Sequence, residues 1–164
     1  MDFRYLYTSF DGRINRKPFW IGCLLMVVAG VILSIVIVMP LTAVSPTLGA
    51  LAGLILSLAF LYPAAALGVK RLHDQDKPGT LMAVFMAPGL ITQIGDLLGI
   101  TGSEQMIAGQ SIMLPNTLGW LLNLVTLVIG IWALVTLGFR KGTTGPNSYG
   151  DDPLMAGVLQ SATS

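Results

Sequence analysis

The sequence predicts an all-α membrane protein: a four-helix transmembrane bundle with both termini cytoplasmic and a short interfacial helix at its N-terminus. Composition is the first observation, since 10% of the 164 residues are charged and 54% are hydrophobic, where soluble domains carry about a quarter charged residues. The second is four long apolar stretches, Phe19–Met39, Leu48–Val69, Thr80–Ile100 and Leu118–Phe139. Each reaches roughly 32 Å at 1.5 Å per helical residue, enough to cross a hydrocarbon core of about 30 Å. The third is the placement of positive charge. All nine Lys and Arg residues fall in the N-terminal segment (Arg4, Arg13, Arg16, Lys17), the middle gap (Lys70, Arg71, Lys77) and the C-terminal segment (Arg140, Lys141), which four crossings put on one side. Scatter by length alone would give that partition about 3% of the time, and retention of basic residues in the cytoplasm explains it.

Each element has a local cause. Phe3, Leu6, Tyr7 and Phe10 repeat at helical spacing, so the first ten residues form an amphipathic segment suited to the headgroup region. Asp11-Gly12 reads as a turn, Asn15 as an N-cap, and Phe19 and Trp20 as interfacial aromatics at the start of the first span. At 21 residues, that stretch is longer than the apolar core of a secretory signal peptide and is expected to be retained as a span. Gly49, Gly53 and Ser57 line a small-residue ridge on the second span, and Gly119, Asn123, Thr126, Gly130 and Ala133 line another on the fourth; close helix packing is the expected use of both. The third span carries Pro88-Gly89, Gln93 and Asp96, which permit a kink or a re-entrant turn. Four full crossings are preferred because a re-entrant third segment would leave Arg140 and Lys141 outside. Asp96 and Asn123 are the candidate intramembrane polar residues; an interfacial helix end is the expected role of Asp96, ahead of a proton or cation site. Residues 1–153 are read as one membrane domain and 154–164 as a disordered tail.

Several function classes fall away. A net charge of +1 gives no nucleic-acid footprint. One histidine and one cysteine cannot supply a His-rich or Cys-cluster metal site, and nucleotide-binding and nucleophile-elbow motifs are absent. Neither a cofactor nor a catalytic residue is expected. His73 beside Asp74 is read as a satisfied loop histidine rather than a base, because sequence neighbours need not face each other.

The chemistry-bearing residues lie in three segments on the expected cytoplasmic side. These are Gly12-Arg13-x-x-Arg16-x-x-Phe19-Trp20 before the first span, Arg71-Leu72-His73-Asp74 after the second, and Gly145-x-Asn147-x-Tyr149-Gly150-x-Asp152-Pro153 after the fourth. In order and spacing the set resembles the bacterial domain-of-unknown-function 805 family, the YhaH-type inner membrane proteins, from about Phe10 to Pro153. The chain departs from the family pattern at Pro18 and at Thr80-Leu81. The resemblance implies a small multi-pass protein of the bacterial inner membrane and no particular activity. From the residues themselves, Arg13, Arg16 or Arg71 is expected to pair with Asp74, Asp151 or Asp152, with Asn147 and Tyr149 bonding loop backbone. Trp20, His73 and Gly150 complete this candidate cluster. The expected function is non-enzymatic binding of a protein partner, a second copy or membrane lipid, with spare Arg and His donors meeting anionic headgroups. A small transporter or channel subunit and a membrane-embedded lipid-modifying enzyme are the alternatives.

Overall fold

The computed structural model describes residues 2–107 and 110–155. A short helix α1, Phe3–Thr8, precedes α2 over Arg16–Val44, α3 over Pro46–His73, α4 over Leu81–Leu97 and α5 over Thr117–Phe139. Helices α2, α3 and α5 are long and apolar enough to cross a membrane, while α4, at 17 residues, is shorter. Between α4 and α5 the strands β1, Gly102–Ile107, and β2, Gln110–Pro115, pair antiparallel from Gly102 opposite Pro115 to Ile107 opposite Gln110. This hairpin corrects the all-helical expectation. Its two strands of six residues are too short and too mixed in polarity to stand out beside spans of more than twenty.

The first turn of the bundle also differs from expectation. Helix α2 does not stop at Met39 but runs through Pro40 to Val44, so that Ser45 alone separates it from α3. A proline ring would collide with the carbonyl four residues back in a regular helix. Wider i→i+5 turns over Ser34–Val38, with Met39 N–H bonded to the Ser34 carbonyl, absorb that conflict. Pro46 then occupies the start of α3, where its missing N–H costs nothing.

Helix α4 passes Pro88-Gly89 without interruption. It ends on Gly99, whose φ of +69° is left-handed. There Gly99 N–H bonds the Asp96 carbonyl at 3.1 Å and Ile100 N–H the Gly95 carbonyl at 2.9 Å, which is the Schellman closure that satisfies the last carbonyls of a helix. Asn116 then caps α5 by accepting from Gly119 N–H at 2.9 Å.

Ridge contacts account for much of the packing. Gly49 abuts Thr42 so closely that a Cβ would collide with it, and Ser57 donates to Gln93 at 2.6 Å, joining α3 to α4. On α5 the small residues divide. Gly119 sits against the Thr101 carbonyl and Thr126 meets Thr92 at 3.3 Å, whereas Asn123 is exposed and Gly130 faces open space. At 100° per residue Asn123 and Gly130 lie to one side of Gly119, and Thr126 and Ala133 to the other by roughly 20–40°, so the seam with α4 runs along the second pair.

The buried apolar core gathers at the end where α2 begins and α3 finishes: Leu6, Ile14, Phe19, Leu67, Leu72, Met82 and Leu137. Leu6 brings α1 onto α3, which divides the predicted amphipathic face; Tyr7 reaches the Gly22 carbonyl at 3.0 Å while Phe3 and Phe10 remain exposed. The three basic segments meet at this end. The tail expected over 154–164 lies, from residue 156 onward, outside the described residues.

Candidate functional site

Buried cations hold the basic end together. Lys70, fully buried on the last turns of α3, donates to the carbonyls of Tyr5, Leu6 and Ser9 at 2.5, 2.8 and 2.6 Å. These carbonyls lie on the last turn of α1 and its cap, where Tyr5 also accepts Ser9 N–H at 3.4 Å, so one ammonium finishes a helix too short to be stable alone. Arg71, also fully buried, does the same for α5: its Nε bonds the Leu137 carbonyl at 2.8 Å and its second terminal nitrogen the Arg140 carbonyl.

Asp74 closes the lattice. One carboxylate oxygen accepts from Arg71 and the other from Arg13 at 3.3 Å, with all three side chains almost wholly buried. Arg13 spends its remaining terminal donors on the carbonyls of Gly145 at 2.8 Å, Gly150 at 3.1 Å and Thr143 at 2.7 Å. The backbone carbonyl of Asp74 accepts Thr143 N–H at 2.8 Å. Burial pushes the Asp74 carboxyl up, and the two guanidiniums oppose that push. Gly142 packs so tightly on this carboxylate that a Cβ would collide with it.

The C-terminal segment is folded onto the middle gap. Asn147 donates to the His73 carbonyl and to Thr143 Oγ1, both at 2.8 Å. The Tyr149 ring stacks on His73 with centroids 3.8 Å apart and planes 6° from parallel, while His73 Nδ1 lies 3.3 Å from the Gly12 carbonyl. Gly150, at φ +127°, pairs its backbone with Asn147 to close the turn. Asp152 accepts from Gly145 N–H at 3.0 Å and Leu154 N–H at 2.9 Å; those two N–H groups hold its carboxyl below the ordinary carboxylate range.

Of the expected cluster, Arg13, Arg71, His73, Asp74, Asn147, Tyr149, Gly150 and Asp152 thus come together. The expected pairing of Asp74 with Arg13 and Arg71 is present. Arg16 does not join it, and Asp152 bonds backbone rather than an arginine. Asp151 is exposed. Trp20 stands beside the lattice, its indole N–H donating to the Gly138 carbonyl at 3.2 Å and its ring edge-on to Phe139 at 5.8 Å. The two intramembrane candidates lie elsewhere. Asp96 is exposed at the end of α4 and accepts from the Thr101 hydroxyl, and Asn123 is exposed on α5.

Beside the lattice, between the start of α2 and the end of α5, lies a cavity of about 450 Å³. Arg71 and Asp74 border it, together with Asp152, Asn15, Thr143, Thr144 and Leu154; Arg16, Lys17 and Lys141 stand at its exposed margin. Four basic side chains thus face two carboxylates, and both carboxylates are already engaged. Among the described residues Arg16, Lys17 and Lys141 form no side-chain hydrogen bond or ion pair, so their donors are available. Lys77 nearby is pushed down by burial and further by Arg140 and Arg71, as a cation is in a positive field. Lys17 and Lys141 were absent from the expected site because a basic residue flanking a span reads first as an orientation marker.

A family model described as a protein of unknown function, DUF805, matches residues 7–151. Inner membrane protein YhaI of Escherichia coli K12 is 28% identical over 147 residues, which cover 90% of this chain and 87% of that protein. A second protein of the same organism, bearing the name uncharacterized protein YiiR, is 28% identical over 145 residues, 88% of this chain and 85% of its own length. No solved structure matches the chain.

Proposed function

The chain belongs to the DUF805 family of proteins of unknown function, and on that premise we propose that it is a non-enzymatic inner membrane protein that binds an anionic headgroup in the cavity at its basic end. The topology in this reading is four crossings with both termini cytoplasmic and α1 lying in the headgroup layer. Its support is the gathering of all the basic segments at one end of the helices, the inner-membrane name of a relative, and the exposed Phe3 and Phe10. The 17 residues of α4 rise about 25 Å, near the lower limit for a span.

One observation carries the binding reading: Arg16, Lys17 and Lys141 flank a single cavity with their donors uncommitted, while the buried cations beside them are spent on carbonyls and Asp74. Phosphate oxygens are the natural complement of such donors. The committed state of His73, stacked on Tyr149 and set against a backbone carbonyl, supports a structural role for it rather than an acid–base one.

Native mass spectrometry of the purified protein with equal amounts of phosphatidylglycerol and phosphatidylcholine tests this. A Lys or Arg near an anionic headgroup is worth about 1 kcal/mol. Replacing Arg16, Lys17 and Lys141 together by Ala is therefore expected to lower the preference for phosphatidylglycerol by up to about a hundredfold. Equal retention of both lipids by the wild type, or a preference unchanged in the triple variant, contradicts the reading.

A further inference from the structure

Helices α2 and α5 touch at the basic end and part beyond it. Trp20 lies against Gly138 and Phe139, and α5 packs on α2 through its last turns, Leu134–Phe139. Over Thr117–Ala133 α5 packs on α4 instead, with no comparable seam to α2. On the face of α2 that carries Trp20, the next residues at helical spacing are Leu24, Val27 and Val31, and they are 63%, 61% and 52% exposed. Stepping back along α5 from Gly138 at helical spacing, Leu134, Ile131 and Leu127 are exposed as well. An apolar cleft therefore opens sideways between α2 and α5. From Trp20 to Val31 it rises about 16 Å, the hydrocarbon depth of one leaflet when the whole core is about 30 Å.

The cationic cavity sits at the closed end of this cleft. Arg16 and Lys17 lie one helical turn before Trp20, and Lys141 lies two residues after Phe139. A polar, positively charged seat followed within one turn by an aromatic threshold and then by apolar walls matches one kind of occupant. We propose that the protein holds an anionic glycerophospholipid drawn from the inner leaflet, its phosphate at Arg16, Lys17 and Lys141 and one acyl chain in the α2–α5 cleft. Charge complementarity selects the lipid over a zwitterionic one, and the lateral opening admits it without leaving the bilayer. Trp20 marks the level of the glycerol, where an amphipathic ring is favoured. This seat rests on the headgroup reading above and adds the source of the ligand and its path.

Fluorescence quenching of Trp20 by lipids brominated on the acyl chain tests the seat. Trp120 and Trp132 are exposed at 65% and 46%, so Trp120→Phe with Trp132→Phe leaves Trp20 as sole reporter, with thermal melting as the check on folding. In bilayers of fixed brominated fraction, phosphatidylglycerol is expected to quench Trp20 about twofold more than phosphatidylcholine, and the excess to vanish in the Arg16, Lys17, Lys141 triple alanine variant. Val27→Phe, which fills the cleft from an exposed position, is expected to reduce the excess, with the melting midpoint showing that the fold is kept; an excess unchanged in a folded Val27→Phe variant contradicts the cleft. Equal quenching by the two lipids overturns the seat. If phosphatidylglycerol is still selectively retained in that case, the headgroup site stands and the cleft does not; if retention is also equal, both fall.

Discussion

The two ends of the bundle treat charged residues in opposite ways. At the basic end Arg13, Lys70, Arg71 and Asp74 are buried and almost fully bonded, and three segments far apart in sequence close around them. At the other end Asp96 is exposed at a helix terminus, the chain reverses through a glycine turn and a hairpin, and Asn123 faces outward. Buried charge is tolerated only where each donor and acceptor has a partner. The interior of the basic end is almost fully paired, and of the exposed cations left outside that pairing, which include Arg4 and Arg140, it is Arg16, Lys17 and Lys141 that border the cavity.

The largest break in this contrast is expected from Asp74→Ala. It leaves two guanidiniums buried without a counter-charge and should lower stability by about 3–5 kcal/mol, read as the thermal midpoint in detergent. Asp96→Asn at the opposite end should change it by less than about 0.5 kcal/mol, as an exposed substitution does. A comparable loss from Asp96→Asn would remove the distinction between the two ends.

Glycines sharpen it next. Gly142→Ala drives a methyl into the Asp74 carboxylate, which cannot swing away because two arginines hold it, so a loss of about 1–3 kcal/mol is expected, the range for overpacking. Gly130→Ala meets open space inside a helix and should cost nothing, with a gain of up to about 1 kcal/mol from the lost helix-interior glycine.

Trp20→Phe removes the indole donor to Gly138 but keeps an aromatic ring against Phe139. A loss of about 0.5–1.5 kcal/mol is expected, the worth of one hydrogen bond, and melting against wild type measures it.

The smallest expected effect concerns acid. Asp152 has its folded carboxyl below the ordinary range because Leu154 and Gly145 N–H groups bind the ionised form. Its contribution is therefore present above the unfolded value, about pH 4, and is lost as pH falls through the lower folded value. Wild-type melting should fall more steeply below about pH 4 than that of Asp152→Asn; parallel curves would show that the loop does not draw stability from this carboxylate.

Much of the basic end was legible in the sequence because burying charge demands partners, and Arg13, Arg71 and Asp74 lay in segments that alternating helices bring to one end. The role of Lys70 was not legible: a lysine closing an apolar helix reads as an orientation marker, and the three carbonyls it satisfies belong to α1 and its cap, 61, 64 and 65 residues away in sequence. Spacing alone also failed to separate Arg13 from Arg16. Three residues apart, one turns into the lattice and the other out toward the cavity, and only the path of the chain after Gly12, at φ +82°, decides which. The continuation of α2 through Pro40 was hidden because a proline ordinarily ends a helix, and the wider turns that accommodate it leave no mark in the residue pattern. The hairpin was hidden by its brevity.

The division between structural and ligand-binding cations is tested most directly by melting wild type and the Arg16, Lys17, Lys141 triple alanine variant in phosphatidylcholine bilayers, with and without phosphatidylglycerol. A ligand that binds only the folded state raises its stability. The two proteins are predicted to melt together without phosphatidylglycerol, and only wild type to gain stability when it is added. A triple variant that melts as low as Asp74→Ala without the anionic lipid, or that gains as much as wild type with it, would contradict the division.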